Sequence, residues 1–220
     1  MPDLTVMERG GPILWVLLIL SAIGFVVFVE RTFFLHRGQI KASAFIDGIR
    51  NLVGKQRLVE ALTLCEETPG PTARVVRAAL LHHDRPAHEL RMAVQEAAVV
   101  EIPFLERRIG TIGVIARVAP LVGLLGTLAA LLEGFFRLQA EGPYADSGDY
   151  AGLFGQALLT TVAGVAIAAI AQAAYHFLNG RVQSLIHDME WGGHRMIQLL
   201  TTEGVGNLSG ESKAEDADAR

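Results

Sequence analysis

The chain has a single cysteine among 220 residues, Cys65, so it can close no internal disulfide and offers no thiolate set for a metal. Charge is scarce as well, at 19% of residues, and the signs nearly cancel to a net −4. Nowhere is there the clustered basic footprint that a nucleic-acid binder needs. Also missing are a nucleophile paired with a base, a glycine loop that would cradle phosphate and a metal-ligand set at working spacing, so enzyme activity is not expected. His82, His83 and His88 come nearest to a ligand cluster. They flank a turn and lack a matching carboxylate or cysteine, so no metal and no cofactor are expected.

Apolar residues are abundant, at 51%, and they sit in blocks. Three blocks, Gly11 to Val29, Ile112 to Phe136 and Leu153 to Leu178, reach the ~20 residues that cross ~30 Å of hydrocarbon. The first lacks the basic leader and short apolar core of a signal peptide and reads as a retained span. Glu30, Arg31, His36, Arg37 and Lys41 follow it, putting positive charge on its carboxyl side, so the N-terminus is expected outside and the C-terminus inside. The acidic connection RLQAEGPYADSGDY, with Glu141, Asp146 and Asp149, suits the outer face.

Between the first two spans the charge is mixed and apolar residues recur at helical spacing: Ala44, Ile46, Ile49, Leu52 and Val53; Leu58, Val59, Leu62 and Cys65; Val75, Val76, Ala79 and Leu80. Gly54, ThrProGlyPro at 68–71 and AspArgPro at 84–86 separate these runs, which predicts three short helices packed as a bundle with Cys65 in its core. From Pro86 a helical pattern continues through Pro103 into the second span, predicting one helix kinked near that proline. Arg117 falls inside the span and is expected to snorkel towards the interface. Glu133 stands four residues before Arg137, so it either forms an i,i+4 pair or serves as a carboxylate at a pore mouth.

The second span carries Pro120, Gly123, Thr127, Ala130 and Gly134 at spacings of three and four, one small-residue stripe that lets another helix approach closely; Gly126 adds to its packing surface. The third span is rich in alanine and holds Gln156, Thr160, Thr161, Gln172 and His176, with Gly164 sharing a face with Gln156 and Thr160. Its adjacent threonines either bond back to their own carbonyls or line a polar path opposite Thr127. The pattern stays helical beyond Leu178, with Gly192 and Gly193 as candidate bends, and the last residues carry no buried periodicity. The expected division is therefore 1–30 for the outward N-terminus and first span, 31–108 for a cytoplasmic helical domain, 109–137 for the second span and 138–152 for a periplasmic loop. The third span follows at 153–178, a cytoplasmic helix at 179–203 and a disordered tail at 204–220. The fold class is an all-α integral membrane protein with three transmembrane helices, two of them extended into a cytoplasmic helical bundle.

GluArg at 30 and 31, AlaProLeuValGlyLeuLeuGlyThr at 119–127 and GlnAlaLeuLeuThrThrValAlaGly at 156–164 resemble the MotA/TolQ/ExbB proton-channel family, and the span order resembles its ExbB and TolQ branch. The resemblance implies an inner-membrane homopentamer enclosing the single-span helices of an ExbD- or TolR-like partner, whose aspartate carries the proton. It implies that Thr127 and Thr161, by motif position, line the cavity with Gln156 and Thr160 nearby, and that Thr127 turns towards a partner helix rather than its own bundle. Work would pass to a TonB- or TolA-like protein acting on the outer membrane. One departure stands out: Gln156 occupies a position where ExbB and TolQ commonly carry glutamate, and glutamine cannot ionise. The competing expectation is a non-conducting membrane scaffold for the cytoplasmic helices.

Overall fold

A computed structural model describes residues 11–38, 42–141 and 147–218, with the side chains of all of these except 37, 141, 147–150 and 203–218. Seven helices appear among the described residues: α1 Gly11–Gly38, α2 Ala42–Gly54, α3 Leu58–Glu67, α4 Pro71–Leu81, α5 Ala87–Glu106, α6 Ile109–Glu141 and α7 Ser147–Asp218. Helices α1, α6 and α7 are each long and apolar enough to cross a membrane. Their outward faces are unprotected in the single chain: Phe25 is 68% exposed on α1, Phe135 67% on α6 and Ile170 72% on α7. Surface of that kind suits lipid or neighbouring helices rather than water.

The chain divides into two compact units, Met1–Thr32 with Arg108–Asn179, and Phe33–Arg107 with Gly180–Arg220. In the first, α1, α6 and α7 pack around Leu17, Ile112, Ala119, Ala157 and Leu178, all nearly inaccessible. The second holds α2 to α5 and the later part of α7 around Ile49, Val75, Leu80, Leu90, Val182, Met189 and Met196. Its short helices start and stop where turn chemistry dictates. Gly70, at φ +136, occupies a region that only glycine enters freely, and Pro71 opens α4 in the first-turn position where a missing N–H costs nothing. His82 and His83, weighed above as metal ligands, instead place Nδ1 2.9 Å and 3.0 Å from the carbonyls of Ala78 and Leu80, at the C-terminus of α4.

Cys65 sits in this second core at 3% exposure. Burial pushes its thiol from 9.0 up to about 11, outweighing the opposite pull of the Arg77 charge. Only the thiolate reacts. At pH 8 the folded chain is therefore expected to label with a maleimide about a hundredfold more slowly than the same chain unfolded in denaturant, each unit of pKa being tenfold in thiolate. Equal labelling rates would remove Cys65 from the core.

Four expectations change. The helix leading into the second span does not run through with a kink at Pro103; Pro103 lies inside α5, and the break comes at Arg107 and Arg108. Arg108 adopts φ +64, left-handed and unfavourable for a residue with a Cβ, and the Glu30 carboxylate accepts two hydrogen bonds from its Nη1, at 2.5 Å and 2.7 Å. Gly192 and Gly193 are not bends. Helix α7 runs through both, and a Cβ at Gly193 would stand 2.7 Å from a Val94 methyl and one at Gly192 3.0 Å from the Thr72 methyl, so these glycines admit neighbouring helices. The connection between the second and third spans is shorter than 138–152, because α6 reaches Glu141 and α7 starts at Ser147; what lies between falls outside the described residues. Over 204–218, where disorder was expected, the backbone continues α7. Extending an existing helix needs no new nucleus, and that segment contains no proline to stop it.

Candidate functional site

The small-residue stripe on α6 faces α7 of the same chain. A Cβ at Gly123 would lie 2.8 Å from the Thr160 carbonyl oxygen, and one at Gly164 would lie 2.8 Å from the Ala119 carbonyl oxygen and 2.9 Å from the Gly123 Cα. At Gly126 it would come within 2.7 Å of the Thr160 hydroxyl. Backbone therefore meets backbone, a contact that small residues alone permit. Ala130 is buried farther along, and Gly134 approaches Leu153. Pro120, half-buried on the stripe, cannot donate to the carbonyl four residues back.

At this crossing the hydroxyls of Thr127 and Thr161 hydrogen-bond to each other. Thr127 Oγ1 also has the carbonyls of Gly123 at 3.2 Å and Ala157 at 3.4 Å within reach. Each hydroxyl has one proton to give and lone pairs to receive. When Thr161 donates to Thr127, the Thr127 proton goes to a carbonyl; when Thr127 donates to Thr161, the Thr161 proton is released for another acceptor. The pair is thus a short hydroxyl chain whose direction can reverse, and both residues are only half-buried.

The other predicted site residues do not join it. Thr127, expected to turn towards a partner rather than its own bundle, bonds within that bundle, because the glycine contacts bring α7 within hydroxyl reach. Thr160 is 1% exposed, donates to the Ala157 carbonyl at 2.9 Å and packs on Gly126, so it belongs to the helix interface and not to a polar path. Gln156 sits on another face of α7, its amide against Gly11 at the start of α1. Glu133 is exposed and accepts from Arg137 at 2.6 Å, the i,i+4 pair foreseen as one of its two readings. Arg117 is exposed on α6, as snorkelling requires. Three ion pairs beyond helical spacing escaped the sequence reading: Glu30 with Arg108 above, Arg74 with Glu101, bidentate at 2.5 Å and 2.6 Å in the second unit, and Arg77 with Glu66 at 2.7 Å. Separations of 78, 27 and 11 residues left no local spacing by which to find them.

Three long apolar helices and an all-helical architecture define a multi-pass membrane protein. Residues 67–191, more than half of the chain and inclusive of both threonines, match the MotA/TolQ/ExbB proton channel family, and the chain belongs to that family. It is 26% identical over 216 residues to an ExbB homologue of Methanothermobacter thermautotrophicus, covering 97% of this chain and 75% of that one. To the biopolymer transport protein ExbB of Neisseria gonorrhoeae it is 26% identical over 214 residues, 89% of this chain and 96% of the relative. An ExbB-like protein of Synechocystis is 27% identical over 160 residues, 72% of this chain and 76% of its own length. These relatives put the chain in the ExbB branch.

Proposed function

We propose that this chain is the proton-channel subunit of an ExbB–ExbD-like complex in the bacterial inner membrane, using the proton-motive force to energise a TonB-type or Tol-type system that acts on the outer membrane. The observation that carries the reading is the Thr127–Thr161 hydroxyl pair, two groups that can each donate and accept a proton, joined beside the glycine contacts of two apolar spans. Its half-buried flank leaves one side for a neighbouring helix. Gln156 cannot take up a proton, and neither span carries a carboxylate near mid-membrane, where an ionisable group is costly and marks function. The mid-membrane titrating group therefore comes from the partner, an ExbD- or TolR-like protein whose single span would be enclosed by a homopentamer of this chain. In this arrangement the N-terminus is periplasmic, the C-terminus is cytoplasmic, and a TonB- or TolA-like protein receives the work.

The test is proton flux into liposomes holding this chain together with its single-span partner. Thr127→Val and Thr161→Val keep side-chain volume and remove the hydroxyl, and each is expected to lower flux by about tenfold or more, the scale of a lost proton-transfer group. Unchanged flux in both variants would refute these roles. One observation favours the scaffold reading: Thr127 finds acceptors within its own chain, which a purely structural hydroxyl also does. A cellular function that survives collapse of the proton-motive force would select the scaffold.

A further inference from the structure

Thr161, Ala168, Gln172 and Asn179 recur at intervals of seven, four and seven along α7 and so share one face, with His176 at its edge. Gln172 Nε2 lies 3.0 Å from His176 Nε2. Both side chains are exposed in a helix segment that is otherwise apolar apart from the Tyr175 hydroxyl. Facing lipid, a polar and titratable pair there would be costly; facing water, it is not. We infer that the proton route beginning at Thr127 and Thr161 continues down this face of α7 to Gln172 and His176, with the His176 imidazole as the relay group at its inner end. This rests on the channel reading above and adds to it a residue and a direction.

The distances suit a water-filled step rather than direct contact. At 1.5 Å per residue, Gln172 lies about 16 Å and His176 about 22 Å along the axis from Thr161, and the small Ala168 between them leaves width for water. Imidazole exchanges protons near neutral pH. In the neutral pair the Gln172 amide N–H donates to Nε2 and the ring carries its proton on Nδ1. An incoming proton from water adds to Nε2, the amide turns so that its carbonyl oxygen accepts that N–H, and Nδ1 gives its proton to water on the inner side. The ring then holds a proton on Nε2, and a tautomer exchange through water resets it. One proton enters, one leaves, and the amide serves both charge states because it has a donor and an acceptor.

Among the described residues, no ion pair to His176 is found, and the charged groups near it lie on all three spans, with Arg181 five residues on along α7. On α7 the neighbour is Tyr175, its ring 5.7 Å from the imidazole and packed on Gly113 of α6. Helix α6 brings Arg117 one turn farther on, exposed, and Arg108 at its start, bound to Glu30. Helix α1 meets this level through Phe28, whose ring lies 6.3 Å from Phe177, and carries Glu30 and Arg31 just beyond. Glu30 is already engaged by Arg108.

The experiment uses the full chain with its single-span partner in liposomes. His176→Ala is expected to lower proton flux by about tenfold or more, and millimolar imidazole on the inner side is expected to restore it. The same imidazole should leave Thr161→Val impaired. His176→Asn keeps a hydrogen-bonding shape without a titrating ring and should stay low, with a flatter pH profile than the parent. Parent flux with His176→Ala equal to it would overturn the relay while leaving the channel reading intact. Low flux in His176→Ala that imidazole does not rescue, with His176→Asn at the parent level, would make the residue structural and also overturn it. No flux from the parent complex would overturn both.

Discussion

Valine at Gly164 is expected to separate α6 from α7 and to lower the stability of the membrane unit by about 2–4 kcal/mol, the upper range for overpacking a fitted interface. The reason is the identity of the atoms in the way. A Cβ there meets the Ala119 carbonyl oxygen at 2.8 Å and the Gly123 backbone nitrogen at 3.2 Å, and backbone cannot rotate aside as a side chain can. The helices must move apart, and the Thr127–Thr161 hydrogen bond goes with the movement. Gly155→Val is the control, since nothing lies within 4 Å of its Cβ position. Thermal unfolding of the purified protein in detergent should show Gly164→Val well below the parent and Gly155→Val close to it. A Gly164→Val midpoint matching that of Gly155→Val would mean that the two backbones are not in contact.

The second large effect belongs to Arg74 and Glu101. The Glu101 side chain is only 11% exposed, while Arg74, at 56%, reaches in from the surface of α4 and donates from Nε and Nη2. Removing the arginine strands a nearly buried carboxylate; removing the glutamate leaves a cation that can turn to water. Arg74→Met is therefore expected to cost about 2–3 kcal/mol, and Glu101→Leu less, about 1 kcal/mol. The double variant Arg74→Met with Glu101→Leu should recover most of the loss, because no charge then remains in the core. Denaturant unfolding of all three variants reads the difference. An Arg74→Met variant as stable as the parent would show that water already reaches Glu101.

Periodicity within a helix was legible, and contact between helices mostly was not. The apolar spacing of α2, α3 and α4 and the proline and glycine breaks between them carry their own local chemistry, so those helices lie where spacing puts them. The small-residue stripe on α6 likewise marked a packing face without its partner in view. What it could not disclose was which of four polar residues would meet. Thr160 and Thr161 are neighbours in sequence but 100° apart around the helix, so one enters the interface while the other reaches Thr127. Gln156, grouped with them by proximity in the chain, turns to α1. Similarly, the positive φ at the stop falls on an arginine and not on Gly110 two residues later, and the carboxylate that holds it is 78 residues away.

That stop separates two registers. In α7, one residue inserted between Val182 and Met189 would turn every later side chain by about 100°, carrying Met189 and Met196 out of the core they share with Val182. Between Arg107 and Arg108 the helical phase is already reset, so α5 and α6 keep their own faces whatever the phase of the other. Length changes in this chain are therefore tolerable between Arg107 and Arg108 and ruinous within that stretch of α7, and comparison of homologues of different length should find their gaps at the first.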